Sequence, residues 1–335
     1  MRFRSIALVS MLSFAALGSA HAQTADPQCP PGTVSGLGIP DRERATQDAC
    51  QQTIDLFRYM VPQLGIGMTG GNTTLAQGGA LGGLPHFAIG IRGNVLAGNV
   101  PMPENVRTDG AESRDPYPTD DQVLGLPAVD FALGLWKGLP LALSNVGGID
   151  LLLSATYVPE ISTDNVSITP ETNLQVGYGA RVGILQESLL LPGLGVSFMK
   201  RDLPTTTIVG FTGNDSLEVR DLDFKTTAWR VTASKSLILF TIAAGVGQDT
   251  YDASTTIEAT VNDVLVGRET MGPVTVKQKV TRTNYFADVA MNILLVKLVG
   301  TVGMVSGGDV PTFSRFETDA DASRLYGSVG LRIGF

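Results

Sequence analysis

Ten segments of this 335-residue chain alternate apolar residues with small or polar ones at a period of two. That alternation restricts the fold more than any other feature. Phe87, Ile89 and Ile91 alternate with His86, Ala88, Gly90 and Arg92. Val129, Phe131, Leu133 and Leu135 alternate with Asp130, Ala132, Gly134 and Trp136. Ile149, Leu151, Leu153 and Tyr157 follow the same rule, as do Leu174, Val176, Tyr178, Ala180, Val182 and Ile184. Similar runs occupy about 191–200, 223–234, 237–251, 277–291, 295–305 and 323–335. Alternation at this period puts every second side chain on one face of a β-strand.

The connections carry a second regularity. Segments 97–126, 158–170, 201–222, 252–276 and 306–322 are long and polar; 138–146, 185–190, 235–236 and 292–294 are brief. Long and short alternate, as they must when adjacent antiparallel strands cross a layer with loops on one side and turns on the other. A soluble sandwich has no reason to sort its loops by parity. Glycine, 39 of 335 residues, exceeds the usual ~7% and suits turns and close-packed strands. The expected fold is all-β: an antiparallel transmembrane β-barrel of about ten strands, or 12 or 14 if loop segments also cross. Residues 84–335 form the barrel.

The chain opens with Arg2 and Arg4, an apolar run from Ile6 to about Leu17, and Ala20-His21-Ala22. This has the form of a secretory signal peptide over 1–22, too short to span as a helix. Its removal lowers Lys and Arg from 24 to 22 against 32 Asp and Glu, a net charge of −10. Nucleic acid is excluded as a partner, because phosphate contacts need a basic surface. Residues 23–83 read as an N-terminal extension. Within it Cys50, Ile54, Phe57, Val61 and Leu64 mark an amphipathic helix over 41–61, started by Asp41 and stopped at Pro62. A Gly/Thr/Asn tract follows over 65–83. Cys29 and Cys50 are the only cysteines, and in an oxidising compartment they are a disulfide candidate. The helix must bury its apolar face, either as a plug in the barrel, where inward glycines such as Gly134, Gly183 and Gly195 leave room, or as a periplasmic helix at the rim.

The last strand runs "RLYGSVGLRIGF". Leu331, Ile333 and Phe335, with Leu325 and Val329 before them, resemble the terminal strand of bacterial outer-membrane β-barrel proteins. The resemblance implies localisation in the bacterial cell outer membrane, outer-membrane lipid and the barrel-assembly machinery as partners, and Leu331, Ile333 and Phe335 as the assembly signal. No motif assigns a particular barrel family.

Candidate chemistry is sparse. Gly65, Gly67 and Gly70 have the G-x-G-x-x-G spacing, but no strand precedes them and no Asp or Glu occurs over 80–95, so a dinucleotide site is not expected. His86 is the one histidine of the exported chain, without an acidic neighbour. A membrane-embedded hydrolase built on it has no nameable partner. No catalytic, cofactor or metal residues are assigned. The inward parity instead collects charges, the lumen-facing candidates Arg92, Asp130, Asp150, Arg181, Arg230, Arg282, Asp288, Lys297, Arg324 and Arg332. They form either a structural ladder of ion pairs or the lining of an aqueous path that favours anions. The expected function is a non-enzymatic narrow pore or solute-transport barrel for small solutes. The alternative is a structural outer-membrane protein.

Overall fold

The computed structural model describes residues 26–29, 42–71, 73–74, 76–102, 116–141, 144–163, 166–212, 215–263 and 267–334. The signal segment and Phe335 lie outside these. Ten strands form the barrel wall: β1 Phe87–Pro101, β2 Thr119–Trp136, β3 Gly148–Tyr157, β4 Leu174–Leu185, β5 Gly193–Asp202, β6 Asp215–Ser236, β7 Phe240–Asp263, β8 Gly267–Ile293, β9 Val296–Ser306 and β10 Arg324–Gly334. Each pairs antiparallel with the next. β10 returns to β1 in the register Ala88↔Gly334 through Leu96↔Tyr326, which closes the ring. The expected antiparallel barrel of about ten strands is the fold observed.

Outward positions carry an apolar belt. Ile91, Val129, Val176, Val182, Val246, Val289, Val302 and Val329 are all exposed, an arrangement that belongs against lipid. The brief connections gather at one end of the barrel and the long ones at the other, here the turn end and the loop end.

β6, β7 and β8 are longer than the alternation implies. Residues 201–222 and 252–276, read as loops, are largely strand. The pattern persists there with its sign reversed. Outward residues such as Asp252 and Lys277 are exposed, whereas Phe224, Ile257, Met271, Val274 and Val276 face inward and are buried. These strands run past the belt as a polar-skinned, apolar-lined extension. Short strands Val166–Pro170 and Thr206–Thr212 widen the sheet beside it.

The lumen is occupied. Helix α1 (Arg42–Thr69) lies inside the barrel, and it passes Pro62 rather than ending there. Proline removes one helical hydrogen bond, but Val61, Ile66 and Met68 on either side are fully buried against strands, and that burial offsets the loss. Gly65 is part of this last stretch rather than of a loose tract; a Cβ there would lie 2.4 Å from the Tyr251 ring. The helix enters from the loop end. Main-chain amides of Phe313 and Ser314 donate to Asp55. Gln63 exchanges two hydrogen bonds with the Asn99 main chain, and Asn94 donates to the Gly67 carbonyl. From Gly70 the chain continues down the lumen until Gly83 meets Trp136 and Lys137 at the turn end. A position at the periplasmic rim is therefore corrected: the segment threads the barrel from end to end. The Cys29–Cys50 disulfide is formed, with Cα atoms 5.6 Å apart, near the loop-end start of the helix.

The two faces of the wall predict opposite tolerances. Val176→Arg and Val289→Arg place a charge in the belt and are expected to cost about 2–4 kcal/mol near the midplane. Gln175→Arg, half-buried on the inner face, should cost less. Refolding into lipid vesicles, followed by heat-modifiable mobility, measures the difference. Ala132 is a poor inward control, since it packs against Leu152 and Met199.

Candidate functional site: the filled lumen

Inward parity brings five guanidinium groups from five strands onto one stretch of backbone. Arg92 of β1 donates to the Gly70 carbonyl. Arg230 of β6 reaches the carbonyls of Thr69 and Gly71. Arg332 of β10 donates to the carbonyl of Thr74 at 3.0 Å and to the Gln77 side chain. Arg181 of β4 donates to the Gln77 carbonyl at 3.0 Å. Arg201 of β5 donates to the Thr73 hydroxyl. Beyond Thr69 the described residues of the segment form no helix or strand, so their carbonyls have no ladder to join and need other donors. Arginine, with five donors and no acceptor, supplies them from the wall.

Carboxylates hold the arginines in place. Asp130 pairs with Arg92 and accepts from Ser154 Oγ at 2.7 Å. Asp150 pairs with Arg181 at 2.6 Å and accepts from the Leu81 amide at 3.1 Å. Asp249 accepts from Arg230 at 3.2 Å, Thr69 Oγ1 at 3.0 Å and Asn284 Nδ2 at 2.8 Å, and Tyr326 in turn donates to Asn284. Asp288 accepts from Thr301 at 2.7 Å. The other sequence candidates lie elsewhere. Lys297 is half-buried near the turn end. Arg282 donates to the carbonyls of Gly307, Asp321 and Ala322, and Arg324 to the Tyr59 hydroxyl at 3.0 Å. Those two secure the loop over 307–323 and the helix. Asp249 and Arg201 were missed. Asp249 has the parity opposite to Phe240, Ile242 and Val246 and is legible from them, while Arg201 falls at the start of a segment that reads as loop.

Below the arginines the wall approaches the tract at contact distance. A Cβ on Gly195 would lie 2.3 Å from the Gly78 carbonyl oxygen, on Gly183 2.7 Å from the Ala80 nitrogen, and on Gly134 2.9 Å from the Gly83 carbonyl oxygen. Only glycine permits this packing. Two residual spaces, one at Thr73, Thr74 and Arg332 and one at Thr73, Arg201 and Arg230, hold about 10 Å³ each, room for roughly one water.

At the loop end, Phe316 stacks on Tyr117 and packs tilted against Tyr59 of the helix, at ring-centre distances of 5.4 and 4.6 Å. Asp55 lies there, beyond the belt. Burial pushes its carboxyl up to about 6, overcoming the lowering effect of the Ser314 and Phe313 amides and of Arg58.

His86 offers no catalytic arrangement. It is exposed, and its Nδ1 lies 2.8 Å from the Gly83 carbonyl oxygen. Among the described residues no three His, Cys, Asp or Glu side chains cluster as metal ligands do.

Fold and lumen together define an antiparallel ten-stranded β-barrel filled by its own N-terminal segment. No protein-family description matches the chain, and no curated protein matches it. Solved structures that it resembles include the outer membrane channel DcaP of Acinetobacter baumannii (11% identity, 78% of this chain and 100% of that one, TM-score 0.18). The outer-membrane expressed OmpT of Vibrio cholerae is another (8%, 75% and 97%, TM-score 0.16). A third is an anion-selective porin from Comamonas acidovorans (12%, 75% and 98%, TM-score 0.17). At such scores the barrel assignment rests on the closed ladder itself.

Two outcomes follow from the site. Asp249→Ala leaves Arg230 buried without its carboxylate and is expected to destabilise by about 3–5 kcal/mol. The double variant Arg230→Met/Asp249→Leu should recover much of that, in denaturant titrations of the lipid-inserted protein. For Asp55 the folded pKa lies above the unfolded one, so its contribution is complete below about pH 4 and is lost as pH rises through 6. The heat-denaturation midpoint should fall over that window, and Asp55→Asn should flatten that part of the profile.

Proposed function

We propose that this chain is an outer-membrane β-barrel of the narrow-pore or solute-transport type, non-enzymatic, whose N-terminal segment occupies its own path. The observation that carries the reading is how the tract over 70–83 is held. It joins the wall through side chains and glycine contacts and forms no part of the β-ladder. Hydrogen bonds of this kind contribute only about 0.5–3 kcal/mol each, whereas adding the tract as a further strand would make it part of the wall. A path held shut by separable contacts suits transport of small solutes. The filled lumen also favours the second reading, a structural outer-membrane protein with no transport.

Deleting residues 24–80 while keeping the signal peptide separates the two. The transport reading expects an inserted, heat-modifiable barrel that conducts in a planar bilayer where the full chain is silent. An inserted barrel that stays silent after the deletion supports the structural reading instead.

A further inference from the structure

The turn end is apolar where a turn bathed in water would be polar. Leu189 and Leu190 tip the β4–β5 turn, Ile238 and Leu239 the β6–β7 turn, and Leu294 and Leu295 the β8–β9 turn. Leu189, Ile238 and Leu294 are 93%, 97% and 101% exposed. These turns are neighbours around the ring, because they join β4 through β9 in order. Exposed apolar area of this extent on one rim marks a contact surface.

The belt above it is too short without the turns. On β7 the outward apolar residues run from Phe240 to Val246, then give way to Gln248 and Thr250. Six residue steps in a strand tilted by ~40° rise roughly 16 Å, against the ~25 Å of an apolar barrel band. The turn tip at Ile238 and Leu239 carries the apolar surface beyond the last rung of the strand. On β8 the run from Tyr285 to Ile293 continues into Leu294 without a polar break. The tips complete the band.

The turn backbone is also finished for a medium that offers no hydrogen bonds. Lys235, on an outward position, folds its ammonium back onto the carbonyls of Ser188 at 2.6 Å, Leu189 at 2.8 Å and Leu191 at 3.3 Å. The Asn292 amide donates to the Leu239 carbonyl at 2.8 Å, and Leu237 N donates to the Phe240 carbonyl at 2.6 Å. Glu187 accepts from the Ser236 amide. Water would satisfy such groups unaided, whereas within lipid each must be satisfied by the chain.

We infer that these three turns are seated in the acyl-chain region of the near leaflet, and that the turn rim is a lipid-binding surface rather than a water-facing edge. Lipid is the occupant because the rim continues the belt on the same strands. The inference rests on the barrel being membrane-inserted.

The test uses the full chain with Ile238→Cys, Leu294→Cys and, as a belt control, Leu331→Cys, each carrying a small environment-sensitive fluorophore. Refolding is into phosphatidylcholine vesicles with or without bromine on the acyl chains. The expected result is loss of Ile238→Cys and Leu294→Cys fluorescence in brominated lipid, comparable to the control, with little loss on adding aqueous iodide. Quenching by iodide and not by brominated lipid overturns the inference, and so does protection from both, which would put protein against the rim. A control that itself escapes brominated lipid would mean that the barrel is not inserted, and then the proposed function fails along with the inference.

Discussion

Every main-chain N–H and C=O in the belt faces a medium that offers no hydrogen bonds, so each must be satisfied within the chain. Ring closure between β1 and β10 meets that demand. An open sheet of the same ten strands would leave two edges unpaired at a cost of several kcal/mol per group. Closure has a second effect. It creates an interior that must itself be filled or hydrated, and at ten strands there is room for a helix and an extended tract. The lumen's arginines and glycines are the response of the wall to that content. Arg92, Arg181, Arg230 and Arg332 answer carbonyls without a ladder, Arg201 answers a hydroxyl, and glycine lies where backbone meets backbone.

The charges illustrate how a costly group becomes tolerable. A buried arginine paired with one aspartate uses only part of its donor set, and desolvation can outweigh the pairing. Arg92, Arg181 and Arg230 each direct further donors to carbonyls of the inner segment. The tract needs donors and the arginines need acceptors. Neither wall nor filling is complete without the other.

The wall was largely legible in the sequence, because lipid outside and a polar interior impose opposite preferences on alternate residues such as Val129 and Asp130. The same logic places Arg92, Asp130, Asp150 and Arg181 on one face. It faltered where the environment changes. Around Ile257 and Met271 the outside is water and the inside is packed against the amphipathic helix and its neighbours, so the alternation reverses and reads as loop. Local grounds make Pro62 a helix end, whereas burial of Val61 and Ile66 carries the helix onward. The helix's direction, entering from the loop end, had no local signature at all. It follows from partners such as Asn99 and Ser314, which are distant in sequence.

A ring of strands is a thin-walled tube. Its hydrogen bonds resist stretching along the wall, but they oppose flattening of the circle only weakly, through strand twist. The tract changes that mechanically. Arg92 and Arg332 reach it from the neighbouring strands β1 and β10, and Arg181, Arg201 and Arg230 from β4, β5 and β6 on the opposite side of the ring. They act as a tie across one diameter, and that tie holds the two opposite sides of the wall at a set distance. The N-terminal segment thus sets the shape of the tube as well as its content, and a barrel that has lost it is free to become elliptical.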